Sequence, residues 1–275
     1  MNKGGQLKES KFIGKGRMAD VYAWGEGKIL KLNQKKYPVS LAEREMLITQ
    51  TAQAAGIPVP TAFEVIEYQG RYGIVFERII GRSLMEELQA RPWKLISVAR
   101  QMAEMHALIH SKSITAEIPS QKSLIIDGIE NAIDITEEEK KTVLTFTQHL
   151  PDGDRLCHGD FHPGNILLSS HGPVIIDWMT GTCGNPLADV GRTVMILETG
   201  NLPPEIPIFS RSLMTLSRSL LNSIYQQRYF QLRADKKDHL GPWRLPLLIA
   251  RLREVEEYPQ EKQVLLTEIR LLLNE

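Results

Sequence analysis

The stretch Leu156-Cys157-His158-Gly159-Asp160-Phe161-His162-Pro163-Gly164-Asn165-Ile166-Leu167-Leu168-Ser169-Ser170-His171-Gly172-Pro173-Val174-Ile175-Ile176-Asp177 decides how this chain is read. Asp160 and Asn165 stand five residues apart, and Asn165 opens the apolar run Ile166, Leu167, Leu168. The polar segment Ser169, Ser170, His171, Gly172 turns the chain back, and a second apolar run, Val174 to Ile176, delivers Asp177. This pattern predicts a loop carrying a carboxylate and an amide, joined by a β-hairpin to another carboxylate at a strand end. The chemistry suits phosphoryl transfer. A carboxylate at Asp160 orients or accepts the proton of an attacking hydroxyl. Asn165 and Asp177 offer hard oxygen ligands for Mg²⁺ bridging the phosphates of ATP.

His158-Gly159-Asp160-x-x-x-x-Asn165, followed by Ile176-Asp177-Trp178, resembles the aminoglycoside phosphotransferase / choline-kinase-like family, the small-molecule branch of the protein-kinase fold. The resemblance implies Asp160 at the catalytic base position, with Asn165 and Asp177 as metal ligands and His158 supporting the loop. Downstream, Gly184-Asn185-Pro186-Leu187-Ala188-Asp189 is similar to the family's G-x-P-x-x-D pattern. It implies that Asp189 caps or pins the catalytic loop and does not react. No A-P-E sequence follows Asp177, where a protein kinase would place its long activation segment.

The N-terminal landmarks fall in the order such a fold requires. Gly14 and Gly16 lie between apolar residues, where the lack of a Cβ lets backbone approach phosphate oxygens. Val21 also matches the kinase pattern, while Ala19 replaces its third glycine. Lys28-Ile29-Leu30-Lys31-Leu32 alternates as a strand. Lys31 is expected to hold the α- and β-phosphates, with Lys28, nearer the turn, as its competitor. Residues 40–55 predict a helix with Ser40 as N-cap and Glu43 three residues on. Glu45, on a face with Leu41 and Ile48, is the expected partner of the lysine, and Glu43 is the alternative. Strands at 62–68 and 71–77 complete a five-stranded antiparallel sheet. By resemblance, residues from Glu77 to Ile79 form a hinge whose backbone binds adenine.

Beyond residue 83 the periodicity is helical. Pro92 opens a helix to about His110, and His106 reads as a buried structural histidine. Residues 112–134 carry weak periodicity and are expected to be irregular. Thr136-x-x-Glu139 is a capping box that starts a helix to His149. Further helical stretches are expected near 204–234 and 245–273.

The expected architecture is therefore α+β: a bilobal protein-kinase-like fold with a nucleotide-binding lobe at 1–76, a hinge at 77–82, and a mostly helical catalytic and acceptor-binding lobe at 83–275. Its cofactors would be ATP and Mg²⁺ and its partner a small-molecule hydroxyl acceptor. An aminoglycoside, a macrolide and a hydroxylated metabolite all stay open, as does a non-catalytic nucleotide-binding regulator. A protein kinase is the remote alternative.

Composition sets the remaining bounds. The 275 residues contain 33 Lys plus Arg and 33 Asp plus Glu. That balance argues against a global attraction to nucleic acid or membrane surfaces and leaves local patches open. No apolar run reaches the length of a membrane span, and residues 1–11 lack the apolar core of a signal peptide. Two cysteines, Cys157 and Cys183, form no metal-binding pattern and suit a reduced cytoplasmic setting. The sequence carries no signal of oligomeric state.

Overall fold

The computed structural model describes residues 11–199, 208–235 and 237–274. The N-terminal segment, the expected helix start at Pro204 and the terminal Glu275 lie outside the described residues. The chain forms two compact units. One consists of the chain up to Leu84 plus Gly164–Gly181, and the other of Met85–Pro163 plus Thr182–Glu275.

The first unit begins with β1 (Phe12–Lys15), β2 (Ala19–Ala23), β3 (Lys28–Asn33), α1 (Val39–Ala54), β4 (Ala62–Tyr68) and β5 (Arg71–Glu77). The five strands are antiparallel in the order β1-β2-β3-β5-β4. Period-2 alternation assigns the faces. Leu30 and Leu32 of β3 join Trp24 and Val75 in one apolar cluster, while Ile29 packs with Ala42, Ile74 and Phe76 in another. Ala42 belongs to α1, so the helix covers the face that Ile29 shares with Lys31. The start of α1 corrects the sequence reading. Pro38 is the N-cap, at φ −72°, and no side chain caps the helix. A ring that fixes φ displaces the expected Ser40 cap.

A short β6 (Gly81–Ser83) leads into α2 (Leu84–Ala90), a 3-10 turn, α3 (Leu95–His110), α4 (Gln121–Glu130) and α5 (Glu137–His149). The α4 helix lies inside the stretch expected to be irregular. Its N-cap Ser120 accepts from the Ser123 N–H, and Ile125 and Ile129 form its buried stripe. Gly128 had obscured that short pattern. The Thr136–Glu139 capping box on α5 has both reciprocal bonds. After β7 (Arg155–Cys157) the chain returns to the first unit as the hairpin β8 (Ile166–Ser169) and β9 (Gly172–Ile175). There β6 pairs with β8. A Cβ on Gly81 would sit 2.2 Å from the Leu168 carbonyl, so only glycine allows that strand approach.

In the second unit β10 (Thr182–Gly184) pairs antiparallel with β7. Helices α6 (Pro186–Thr199), α7 (Ile208–Leu232), α8 (Arg244–Arg251) and α9 (Pro259–Leu273) follow. Their core gathers Ile129, Leu187, Met195, Trp243, Leu248, Leu265 and Ile269. Among the described residues, no helix is long and apolar enough to cross a membrane.

Candidate active site

In the first unit the chemistry centres on Lys31. Strand alternation turns it toward α1, and its Nζ lies 2.6 Å from Glu45 Oε1 and 2.6 Å from Asp177 Oδ1. Glu45 is buried, and its Oε2 has no hydrogen-bond partner. The alternative Glu43 is exposed on α1. Lys28 instead places its ammonium over the Phe63 ring. Burial would lower the Lys31 pKa, but Asp177 and then Glu45 outweigh it and hold the ammonium above its ordinary value. Burial raises the Glu45 carboxyl, against the pull of Lys31. Two carboxylates around one ammonium leave a surplus of acceptor oxygen, and the Asp177 side chain is 42% exposed. Asp177 sits at φ +64°, a left-handed conformation that aspartate tolerates better than most residues. Just before it, the Ile176 N–H donates to the Asn165 carbonyl at 3.0 Å, tying the two oxygen-bearing residues together through backbone.

The other expected nucleotide residues also fall in this unit. Gly14 is in β1, and Gly16 closes the β1–β2 turn with its N–H on the Ala19 carbonyl at 2.8 Å. A Cβ on Gly14 would meet nothing within 4 Å. Glu77 ends β5 exposed, its carboxylate accepting from the Thr61 N–H and hydroxyl, and Ile79 follows half-buried.

The second unit holds Asp160 and the framework beneath it. Asp160 follows Gly159, whose φ of +79° is suited to glycine. That backbone turns two consecutive amides onto one carboxylate: His158 N–H to Asp189 Oδ2 at 2.6 Å and Gly159 N–H to Oδ1 at 2.8 Å. Asp189 is fully buried on α6. Three residues on along that helix, Arg192 donates from Nε to the Gly159 carbonyl and holds Glu254 at 2.6 Å. The Gly159 residue is therefore gripped at both its N–H and its carbonyl. The buried His158 accepts from the Asp160 N–H at 3.2 Å. The Asp160 carboxylate has His162 at 3.7 Å. Burial would raise its pKa, but His162, Arg192 and His158 together hold it well below the usual carboxylate range. Asp160 is therefore ionised at neutral pH, a weak base that can accept a hydrogen bond.

Several members of this site escaped the sequence reading. His106 does not stand alone: His110, one turn on, also reaches Asp189, at 3.2 Å against 3.1 Å for His106. The i, i+4 spacing of the two histidines was the available signal. Arg192 and His162 carried none beyond their nearness to the motifs.

With this geometry in view, comparison with known proteins places the chain. Residues 9–214 match the model of the phosphotransferase enzyme family, and the chain belongs to that family. Its fold is that of the aminoglycoside phosphotransferases. A ternary complex of aminoglycoside phosphotransferase APH(4)-Ia with AMP-PNP and hygromycin B superposes with a TM-score of 0.68 at 12% identity, covering 97% of this chain and 93% of that one. The amicoumacin kinase hAmiN, bound to AMP-PNP, Ca²⁺ and Ami, gives 0.60 at 15% identity over 98% and 89%. The streptomycin–ATP complex of APH(2")-IIa gives 0.59 at 14% over 97% and 93%. No curated protein sequence matches.

Proposed function

We propose that this protein is an ATP-dependent phosphotransferase that moves the γ-phosphoryl group to a hydroxyl of a small molecule. The observation that carries the reading is the Lys31 ammonium bridging Glu45 and Asp177 at 2.6 Å each. Such a bridge fixes a cation over the phosphates and presents a half-exposed carboxylate beside it. Asn165 and Asp177 offer an amide and a carboxylate oxygen, a donor set that fits Mg²⁺ and not a soft metal. They are the residues that would hold it, and bound Mg²⁺ would neutralise charge on the phosphate oxygens. Gly14 and Gly16 leave backbone free to approach those oxygens, and the backbone from Glu77 to Ile79 would take the adenine.

Asp160 lies five residues before Asn165 along the chain and is assigned the hydroxyl-orienting role. Its depressed pKa suits an orienting role in a loose transition state, where the proton leaves late. Transfer then relies on positioning and fixed charge. A small acceptor is favoured over a protein. After Asp177 the chain reaches α6 at Pro186, which leaves no long segment for docking a polypeptide. The related structures bound to hygromycin B and streptomycin support a hydroxylated acceptor of that size.

The test is acceptor-dependent ADP release from Mg-ATP across aminoglycosides, macrolides and hydroxylated metabolites. Asp160→Ala should lower turnover about 10³-fold and leave the nucleotide KM nearly unchanged. Equal turnover by wild type and variant would overturn the role of Asp160. ATP binding without turnover on any acceptor would favour a regulator.

A further inference from the structure

Beneath the Asp160 loop lies a closed polar cluster drawn from three helices of the second unit. His106 and His110 of α3 both point Nε2 at Asp189 Oδ2, at 3.1 and 3.2 Å. Their Nδ1 atoms meet hydroxyls of α7, His106 with Tyr225 at 2.6 Å and His110 with Tyr229 at 2.7 Å. Both pairs have the same sequence offset, 119, so α3 and α7 run parallel where they meet and each contributes residues one turn apart. All five side chains are buried to within 1%. The family match ends at residue 214, so neither tyrosine falls within it.

The hydrogen-bond directions follow from the charges. An ionised Asp189 only accepts, so both histidines present Nε2–H to it, and each Nδ1 is left as an acceptor. A tyrosine hydroxyl can fill that need. Burial raises both tyrosine pKa values, which keeps the O–H protons in place. Each arm therefore reads Tyr O–H to His Nδ1, then His Nε2–H to Asp189. The carboxylate receives these two bonds and the amides of His158 and Gly159, the residues that precede Asp160. The His106 ring also stacks on Phe161, the residue after Asp160, with centroids 4.2 Å apart.

We propose that Tyr225 and Tyr229 are positioning residues for Asp160: by donating to the Nδ1 atoms they fix the tilt of the His106 and His110 rings, and so set the Asp189 carboxylate that aims the Gly159–Asp160 backbone. The consequence for transfer rests on the phosphotransferase reading, whereas the lock on the rings does not. A metal ion is the rival occupant. Among the described residues, His106, His110 and Asp189 can each offer one ligand atom, all within 4.8 Å of one another. Both Asp189 oxygens already accept backbone amides, and among the described residues no fourth His, Cys, Asp or Glu joins the group, so hydrogen bonding fills the site.

The test uses the full-length protein with Tyr225→Phe, Tyr229→Phe and the double variant, which keep the rings. ¹⁵N-imidazole NMR should show Nε2–H tautomers at both histidines of the wild type at neutral pH. In the double variant both histidines should keep Nε2–H while their Nδ1 resonances move to those of an acceptor without a donor, and hydrogen exchange at the His158 and Gly159 amides should quicken while the melting temperature stays within a few degrees. Where transfer is measurable, kcat should fall on the order of tenfold, as for outer partners that orient a reacting group, with nucleotide KM unchanged. The acid limb of kcat should move upward. It is to be read with Asp189, His158 and Cys157 facing the pair, and Arg233 and Asp235 beyond Tyr229. Unchanged Nδ1 resonances, amide exchange and kcat in a folded double variant would overturn the proposal. So would one equivalent of zinc surviving dialysis against a chelator. If the wild type transfers phosphate to no acceptor, the NMR and exchange arms still decide the positioning claim.

Discussion

Asp177 and Asp189 bind their surroundings in opposite ways. Asp177 is half-exposed, shares one ammonium with Glu45, and sits in a left-handed backbone conformation. Asp189 is fully buried and is met by two backbone amides and two neutral imidazoles. The first has spare acceptor capacity and is open to solvent. The second is saturated and cannot take a ligand without losing a bond. Saturation makes a framework, and incompleteness makes a site.

The largest effect that could break this contrast lies in acid. Burial and the neighbouring His110 lower the folded His106 pKa to about 4, whereas an unfolded histidine takes its proton near pH 6.5. A depressed pKa gives stability that is complete above the unfolded value and lost as pH falls toward the folded one. Between about pH 6.5 and 4 the second unit should therefore lose on the order of 3 kcal/mol. His110 is lowered in the same direction and adds to the loss. Urea midpoints measured from pH 7 to 4 check this. His106→Gln should flatten the slope, and equal slopes in both proteins would refute a neutral, closed cluster.

The open carboxylate is probed next. Lys31→Met removes the ammonium that bridges Asp177 and Glu45 and should lower kcat/KM for Mg-ATP about 10²-fold. The melting temperature of the apo protein should fall as well, because Glu45 is left buried beside Asp177 without its ammonium. A variant with unimpaired kcat/KM would mean that the triad is structural. Smaller still is Gly159→Ala, which forces a Cβ onto a φ of +79°. It should cost about 1–2 kcal/mol in chemical denaturation and slow transfer. If the variant matches wild type in both, the amide clamp does not aim Asp160. The smallest change serves as a control in the same unit: Thr136→Ala removes the α5 cap for about 1 kcal/mol and leaves kcat alone.

What could be read from the sequence was local. Alternation along β3 put Lys31 opposite the leucines, and helical spacing put Glu45 on the face toward the sheet, so a lysine–glutamate meeting was legible. The loop motif, the hairpin and the five-stranded sheet were legible for the same reason: each is written in consecutive residues. The start of α1 was misread because a proline ring set the backbone before Ser40 could cap it. The α4 helix was missed because Gly128 interrupts its short stripe. The Tyr–His arms were beyond reach, since their partners lie 119 residues apart and no periodicity links α3 to α7. Arg192 shows the limit well. Its value comes from a carbonyl that faces it only after Gly159 has turned.

The discontinuity of the first unit carries a consequence for biogenesis. β6 finds its partner β8 only after the whole segment from Met85 to Pro163 has been made. Lys31 likewise waits for Asp177. A nascent chain leaving the ribosome therefore holds an N-terminal sheet whose charge cluster is incomplete and whose Gly81–Ser83 edge is unpaired. Closure requires a long loop to be ordered first, which slows folding and leaves a strand edge open to wrong partners. Only when synthesis has passed Asp177 and reached Gly181 is the first unit a finished object.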